Sequence, residues 1–516
     1  MSHRPLNIRW ALGIGLCGLS IGGCAQPQAT APAGAIVVGV RTGPNSMDPR
    51  LGNDEASARV AQLMFNTLFD IGDDLRPHPM LAERLENPDP LTYRVALRRG
   101  IKFHDGHEMT ASDVVFTYRQ MLEPAFVSPL KGAFRAVKSV TAPDEYTVEF
   151  KLKEPFSAFP IQLAGLPAII PAGSDADFGQ HPIGTGPYKF VRYAVDDQVV
   201  LAPFADYFNG APKNAGIVIR VLPDDTMRGL ELKKGSIDLV VNDLPPDIVH
   251  QFEGKNFHIA KSPGVDYSYL GINMLDPVLK DKRVRHAIGY AIDRRAIVEY
   301  LRRGLARPAT GLIPPQAWAY QPDIFQFTYD PNRARQLLDE AGYTDPDGDG
   351  PLPRLHLSMK VSNAEETRLQ ATVIQQQLRN VGIDLDVRSY EFATMYADVL
   401  KGNFQMFSLQ WVGAAMADPD ILHRVFHSTQ TPPAGFNRGH YSNPDVDRLL
   451  DLAGAATSEA ERKKYYGEAQ KIIAQDAPYI SIWNRTNVAV AQPTLTGLHL
   501  NAVGNFESLK DVIKGG

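Results

Sequence analysis

From Ile36 onward the chain switches between two hydrophobic periods. Runs with every second position apolar, such as Tyr93, Val95 and Leu97 or Tyr146, Val148, Phe150 and Leu152, predict half-buried strands. Between them, apolar residues recurring every third or fourth position predict amphipathic helices. Thr110 with Asp113 three residues later reads as a capping box that opens a helix over 111–121. Asp330 and Pro331 start another, which Gly342 ends. The order is clearest from Leu355 to Trp411: strand 355–361, helix 364–380, strand 383–388, helix 392–400 and strand 404–410. Such alternation favours parallel neighbours joined by right-handed crossovers, an α/β architecture. Ligands of these sheets collect beyond the carboxyl ends of strands, where the loop 411–420 lies.

The N-terminus follows a different rule. His3, Arg4 and Arg9 precede an apolar run from Trp10 to Ile21, and then come Gly22, Gly23 and Cys24. A charged head, an apolar stretch too short for a bilayer and a small-residue exit describe a secretory signal over 1–23. The string Ile21-Gly22-Gly23-Cys24 resembles a bacterial lipoprotein box, which implies that Cys24 is lipidated and holds the protein outside the cytoplasm, on a membrane. Cys17, the other cysteine, leaves with the signal, so no intramolecular disulfide is expected. Residues 24–34, rich in Ala, Pro and Gln, read as a flexible tether, and ten extended residues reach roughly 33 Å.

Composition narrows the function. Removing residues 1–23 from 516 leaves 493, more than one hydrophobic core usually organises. The net charge of −5 becomes −7 once two arginines leave with the signal, which argues against nucleic acid as a partner. No later run of about twenty apolar residues offers a membrane helix. The chain holds no Gly-x-Ser-x-Gly elbow, phosphate loop or paired zinc motif, so no enzyme, metal or cofactor is expected. The acidic turn from Asp345 to Gly350 resembles the start of a calcium loop, but its twelfth position is His356 instead of glutamate. His104 and His107 flank a glycine turn without a full ligand set.

Several segments resemble one family, the extracellular solute-binding proteins of peptide- and nickel-type ABC transporters. They are Phe103-His104-Asp105-Gly106 with Thr110-Ala111-Ser112-Asp113-Val114, then Gly184-Thr185-Gly186-Pro187-Tyr188, and then Leu270-Gly271-Ile272-Asn273 followed by Val284-Arg285-His286-Ala287-Ile288 and Ala291-Ile292-Asp293-Arg294. The resemblance implies a two-lobed periplasmic binding protein clamp of type II, cluster C-like, with an extra subdomain inserted in lobe I. Lobe I would comprise 35–264 plus 487–516 and lobe II 265–486. The implied function is capture of a peptide or peptide-sized polar solute in the interlobe cleft and delivery to a membrane permease, by a monomer that makes and breaks no covalent bond.

The same resemblance points to the ligand contacts. In peptide-binding members a strand ends at a tryptophan, and an acid three residues later receives the peptide ammonium. Here Trp411, Val412 and Gly413 are followed by Ala414, so the expected acid is missing. Either Asp418 takes over that charge, or the ligand has no free ammonium, as in blocked peptides, oligosaccharides, opine-like compounds, metal chelates or haem. A third reading makes Asp418 and Asp420 a turn and cap around Pro419. Asn45, Ser46 and Met47 after the first strand, Tyr267 and Trp483 near the crossovers, and Phe436 and Asn437 complete the implied ligand set. The same clamp without transport, a lipid-anchored sensor or chaperone, is the alternative.

Overall fold

Runs rich in β-branched and aromatic residues pair into an eleven-stranded sheet among the described residues. The computed structural model describes residues 32–515 apart from Leu166, Asp349 and the side chains of Ala414 and Ala415; the export signal, Cys24 and the tether up to Ala31 lie outside the described residues. The sheet runs in the order Ile383–Tyr390, Leu355–Ser362, Met406–Trp411, His258–Ile272, Tyr479–Ala491, Leu239–Val241, Ile36–Val40, Ile217–Val221, Gln198–Pro203 and Tyr188–Ala194. Ala306–Pro308 pairs beside Tyr479–Ala491, off this path.

At one end Leu355–Ser362 pairs in parallel with both Ile383–Tyr390 and Met406–Trp411. The helices Glu365–Arg379 and Phe392–Leu400 connect them, so the expected order holds and the boundaries move by two residues or fewer. The middle of the sheet is antiparallel. His258–Ile272 and Tyr479–Ala491 run side by side, pairing His258–Pro263 with 486–491, and their register shifts between Pro263 and Tyr267 before pairing resumes. Gly264 sits in that interval, where a Cβ would lie 2.7 Å from the side-chain Oδ1 of Asn487 and 3.0 Å from the Arg485 carbonyl oxygen.

A separate four-stranded antiparallel sheet has the order Ala82–Asp89, Thr92–Leu97, Thr147–Leu152 and Val137–Asp144. Helix Ala111–Leu122 packs on it, its first turn fixed by Asp113, whose carboxylate accepts the Thr110 N–H at 2.8 Å. Tyr118 on the buried face meets Phe134 and Phe150 edge-on, with ring centres 5.2 and 5.1 Å apart.

Two of the sequence motifs clasp each other. His104 Nδ1 accepts the Gly184 N–H at 3.2 Å, and its Nε2 lies 3.0 Å from the Gly186 carbonyl oxygen. These bonds select the neutral ring with the proton on Nε2. Burial, the largest influence, lowers the pKa of His104 to about 4. Gly186 in turn donates to the Met64 carbonyl at 2.9 Å, an approach so close that a Cβ on Gly184 would fall 2.0 Å from that oxygen. The glycines of this turn therefore serve backbone contact.

Ser157 joins distant parts of the chain by donating its N–H to the Gly454 carbonyl and its hydroxyl to the Ala453 carbonyl, both at 3.0 Å. Nearby, the Arg76 guanidinium forks onto Glu459. Among the described residues no helix is long and apolar enough to cross a membrane.

Candidate ligand cleft

Helix Glu55–Met64 begins at Asp54, whose side chain accepts the Ser57 N–H at 2.9 Å. Val60, Leu63 and Met64 bury one face, and Ala58, Ala61 and Gln62 line a cavity of about 360 Å³. Asp70, from the strand Phe69–Ile71, and Glu507, at the start of the 3-10 turn Glu507–Asp511, line it from the same part of the structure. Another wall is Asp418, Asp420, Ile421 and Arg424, on helix Ile421–Phe426 and the turn before it.

The charges here are unevenly satisfied. Burial first, and then the charge of Asp70, push the Glu507 carboxyl up to about 8, so at neutral pH it holds a proton hydrogen-bonded toward Asp70. An ammonium can take the place of a proton that two carboxyl groups share, with both oxygens as its acceptors. Arg424 stacks over Phe436, 4.7 Å from guanidinium carbon to ring centre, and burial pulls it below its ordinary range while Asp420 pulls it back. Asp418 is occupied: Arg462 Nη2 lies 2.9 Å from its Oδ1, each side chain about 13 % exposed, and that oxygen also accepts the Asp420 N–H at 2.9 Å. Burial raises the Asp418 carboxyl and Arg462 pulls it down. Asp418 and Ile161 also line a second cavity of about 350 Å³, with Arg76, Trp318 and Arg462.

Of the residues singled out from the sequence as ligand contacts, Asp418 lines this cavity and the others do not. Asn45 and Ser46 engage the start of helix Glu55–Met64: Asn45 Oδ1 accepts from the Ser57 hydroxyl at 2.8 Å, and Ser46 donates its N–H to Ser57 Oγ at 3.1 Å. Met47 is buried in the core beside them. Tyr267 is buried, its hydroxyl 2.7 Å from Ser481 Oγ, on a small cavity of about 50 Å³. Trp411 packs edge-on against Phe436 at 5.3 Å, with Arg438 over its ring at 4.9 Å. Val412 points to solvent, and Gly413, at φ +64°, donates its N–H to Asp266 Oδ1 at 2.9 Å. Asn437 is buried and donates to the His427 and Tyr441 carbonyls at 3.1 and 2.7 Å. Trp483 is likewise buried, donating its indole N–H to Gln370 Oε1 at 2.7 Å beneath Arg302.

The sequence reading missed Asp70, Glu507, Arg424 and Arg462. Asp70 and Glu507 are far apart in the chain, and neither lies in a motif that marks a site. Arg424 carried a signal, because it follows Asp420 by one helical turn and so points to the same side.

A family model, bacterial extracellular solute-binding proteins, family 5 Middle, matches residues 76–433. The chain is 33 % identical over 497 residues to the glutathione-binding protein GsiB of Escherichia coli O1:K1 / APEC, covering 94 % of this chain and 95 % of that one. Among solved structures, the oligopeptide-binding protein AppA from Bacillus subtilis, in complex with a nonapeptide, is 27 % identical with a TM-score of 0.78, covering 94 % of this chain and 99 % of AppA. NikZ from Campylobacter jejuni, in complex with Ni(L-His), is 26 % identical with a TM-score of 0.80, covering 94 % of this chain and 100 % of NikZ. The motif series, the mixed α/β two-lobed fold shared with these structures and the match over most of the chain agree: the protein belongs to the bacterial extracellular solute-binding proteins, family 5.

Proposed function

We propose that this protein captures a short peptide with a free amino terminus, glutathione included, and delivers it to an ABC permease. The observation that carries the reading is the distribution of charge around the main cavity. Asp70 and Glu507 offer carboxylates to an ammonium, and Arg424 offers a guanidinium to a carboxylate. A volume of about 360 Å³ lies near the lower end of ligand pockets, in keeping with a peptide of two or three residues. The similarity to a glutathione-binding protein and to an oligopeptide-binding protein supports the same class. The missing acid at position 414 is thereby replaced from another part of the chain, and Asp418 holds the cleft wall through Arg462.

On this reading lobe I is 35–264 plus 487–516, with an inserted subdomain, and lobe II is 265–486. The register shift between Pro263 and Tyr267 supports a flexion point there, and the Ser157 and Arg76 contacts would seal the closed cleft. Residues 1–23 act as an export signal, and lipidated Cys24 anchors a monomer outside the cytoplasm.

The test is isothermal titration with glutathione, with di- and tripeptides and with their N-acetylated forms. The free peptides should bind at least a hundredfold tighter than the acetylated ones, and Glu507→Gln with Asp70→Asn should erase the difference. Equal affinity for blocked and free peptides, or preferential binding of Ni(L-His), would overturn the reading.

A further inference from the structure

Helix Ile421–Phe426 and its C-cap carry a second group of side chains, outside the lining of the cavity. His423 on the helix and His427, the extended residue that caps its C-terminus, stand four residues apart with ring centres 4.6 Å apart. Helix Pro444–Ala455 packs against this helix and brings Asp451 beside both rings: Asp451 Oδ1 lies 3.7 Å from His423 Nε2 and 3.3 Å from His427 Nε2. One ligand atom from each of the three residues falls within 4.8 Å of the others. Ligands of a tetrahedral ion with bonds of about 2.1 Å stand about 3.4 Å apart, so little movement is needed for all three to meet one centre.

A second observation points the same way. His427 Nε2 is buried and has no hydrogen-bond partner, although Asp451 Oδ1 is 3.3 Å away, because that oxygen lies off the ring N–H direction. Neither neutral tautomer satisfies the ring. If Nδ1 accepts the Thr429 N–H at 3.2 Å, the Nε2 hydrogen meets no acceptor. If Nδ1 donates to Thr429 Oγ1 at 2.8 Å, Nε2 turns a lone pair toward the space it shares with Asp451 and His423. The second arrangement is the one that metal-binding histidines adopt, with the distal nitrogen held by a hydrogen bond and the other free for the ion. Arg135 brings one positive charge near His423, and the carboxylates of Asp447 and Asp451 outweigh it.

We propose that His423, His427 and Asp451 form a binding site for a divalent transition cation of the zinc, cobalt or nickel type, separate from the ligand cavity. Two imidazoles and one carboxylate match the borderline softness of these ions, and the exposed position of Asp451 leaves room for water to complete the shell. The site uses no residue assigned above to the peptide, so each assignment stands or falls without the other.

The untagged full chain, titrated with Co2+ and Zn2+ alone, should bind one ion per chain with visible ligand-field absorption for Co2+. Asp451→Asn, at an exposed position, and His423→Gln should each weaken binding at least tenfold while circular dichroism and peptide affinity stay unchanged. His427→Gln should do the same if it folds. Failure to bind either ion stoichiometrically at micromolar concentration would overturn the proposal. So would Asp451→Asn binding with undiminished affinity, or loss of binding in Glu507→Gln instead, which would place the ion in the peptide cavity.

Discussion

Removing the charge of Asp418 separates a side chain that reads the ligand from one that holds the wall. Its carboxylate and Arg462 are both nearly buried, about 13 % exposed, and 2.9 Å apart, so Asp418→Asn leaves a guanidinium in the cleft wall without its closest counter-ion. Breaking such a pair from one side typically costs about 3–5 kcal/mol. Asp420 also acts on Arg462 and takes part of that charge, which sets the expectation at the lower end, about 3 kcal/mol. Arg462→Met should cost about as much, since it strands Asp418 next to Asp420. The double variant Asp418→Leu with Arg462→Met removes both charges, and it should recover most of the loss because well-packed apolar residues replace buried pairs at little cost. Urea denaturation of the parent, Asp418→Leu, Arg462→Met and the double variant closes the cycle, and denaturation and peptide titration of Asp418→Asn run beside it. If Asp418→Asn kept full stability while losing two orders of magnitude in affinity for free peptides alone, the residue would be reading the ammonium and the argument from its occupied carboxylate would fail.

Other expectations concern protons and the membrane. Glu507, protonated near neutral pH in the empty cleft, should release up to one proton when an ammonium arrives; calorimetry at pH 7 in buffers of different ionisation enthalpy measures it, and Glu507→Gln should abolish it. The His104 ring stays neutral down to about 4 in the folded protein but takes a proton near 6.5 when unfolded. The unfolded state therefore holds more protons between those values. Stability from this residue is complete above pH 6.5 and is lost as pH falls toward 4, by about 3 kcal/mol in all. His423, also lowered to about 4, adds to the same window, so His104→Gln should flatten part of the acid limb of a stability–pH curve and leave the share of His423. Cys24→Ala should move the protein from the membrane fraction to the soluble extract while peptide affinity is retained, and persistence at the membrane would contradict the anchor.

Much of the architecture was legible because it is local. The run from Leu355 to Trp411 alternates with period two and then period 3.6, and each element came out within two residues of its expected ends. Pairing between His258–Ile272 and Tyr479–Ala491 left no such trace, since strand partners more than two hundred residues apart share no pattern that one segment displays. The site divides in the same way. The loop 411–420 was found from its place after a strand, whereas Asp70 and Glu507 meet only through folding. Trp483 and Tyr267 read as ligand contacts because aromatics near crossovers offer contact area, and in the structure both are buried, Tyr267 on a small cavity of its own.

The clasp of His104 on Gly184 and Gly186 makes a ring of the chain. Its two ends are eighty residues apart, and the segment between them is tied again to the rest of the protein where Thr147–Leu152 pairs with Thr92–Leu97 and where Ser157 meets Gly454. Closing a loop of that length costs the unfolded chain about 4.5 kcal/mol in entropy, which the surrounding contacts have to meet. Once it is closed, helix Ala111–Leu122 and the strands Val137–Asp144 and Thr147–Leu152 lie within the loop, and their sheet is completed by Ala82–Asp89 and Thr92–Leu97 from before it. Because Ile161, Gln162 and Ala164 of the same segment line the cavity, the clasp also fixes one end of the stretch that carries a part of the cleft wall.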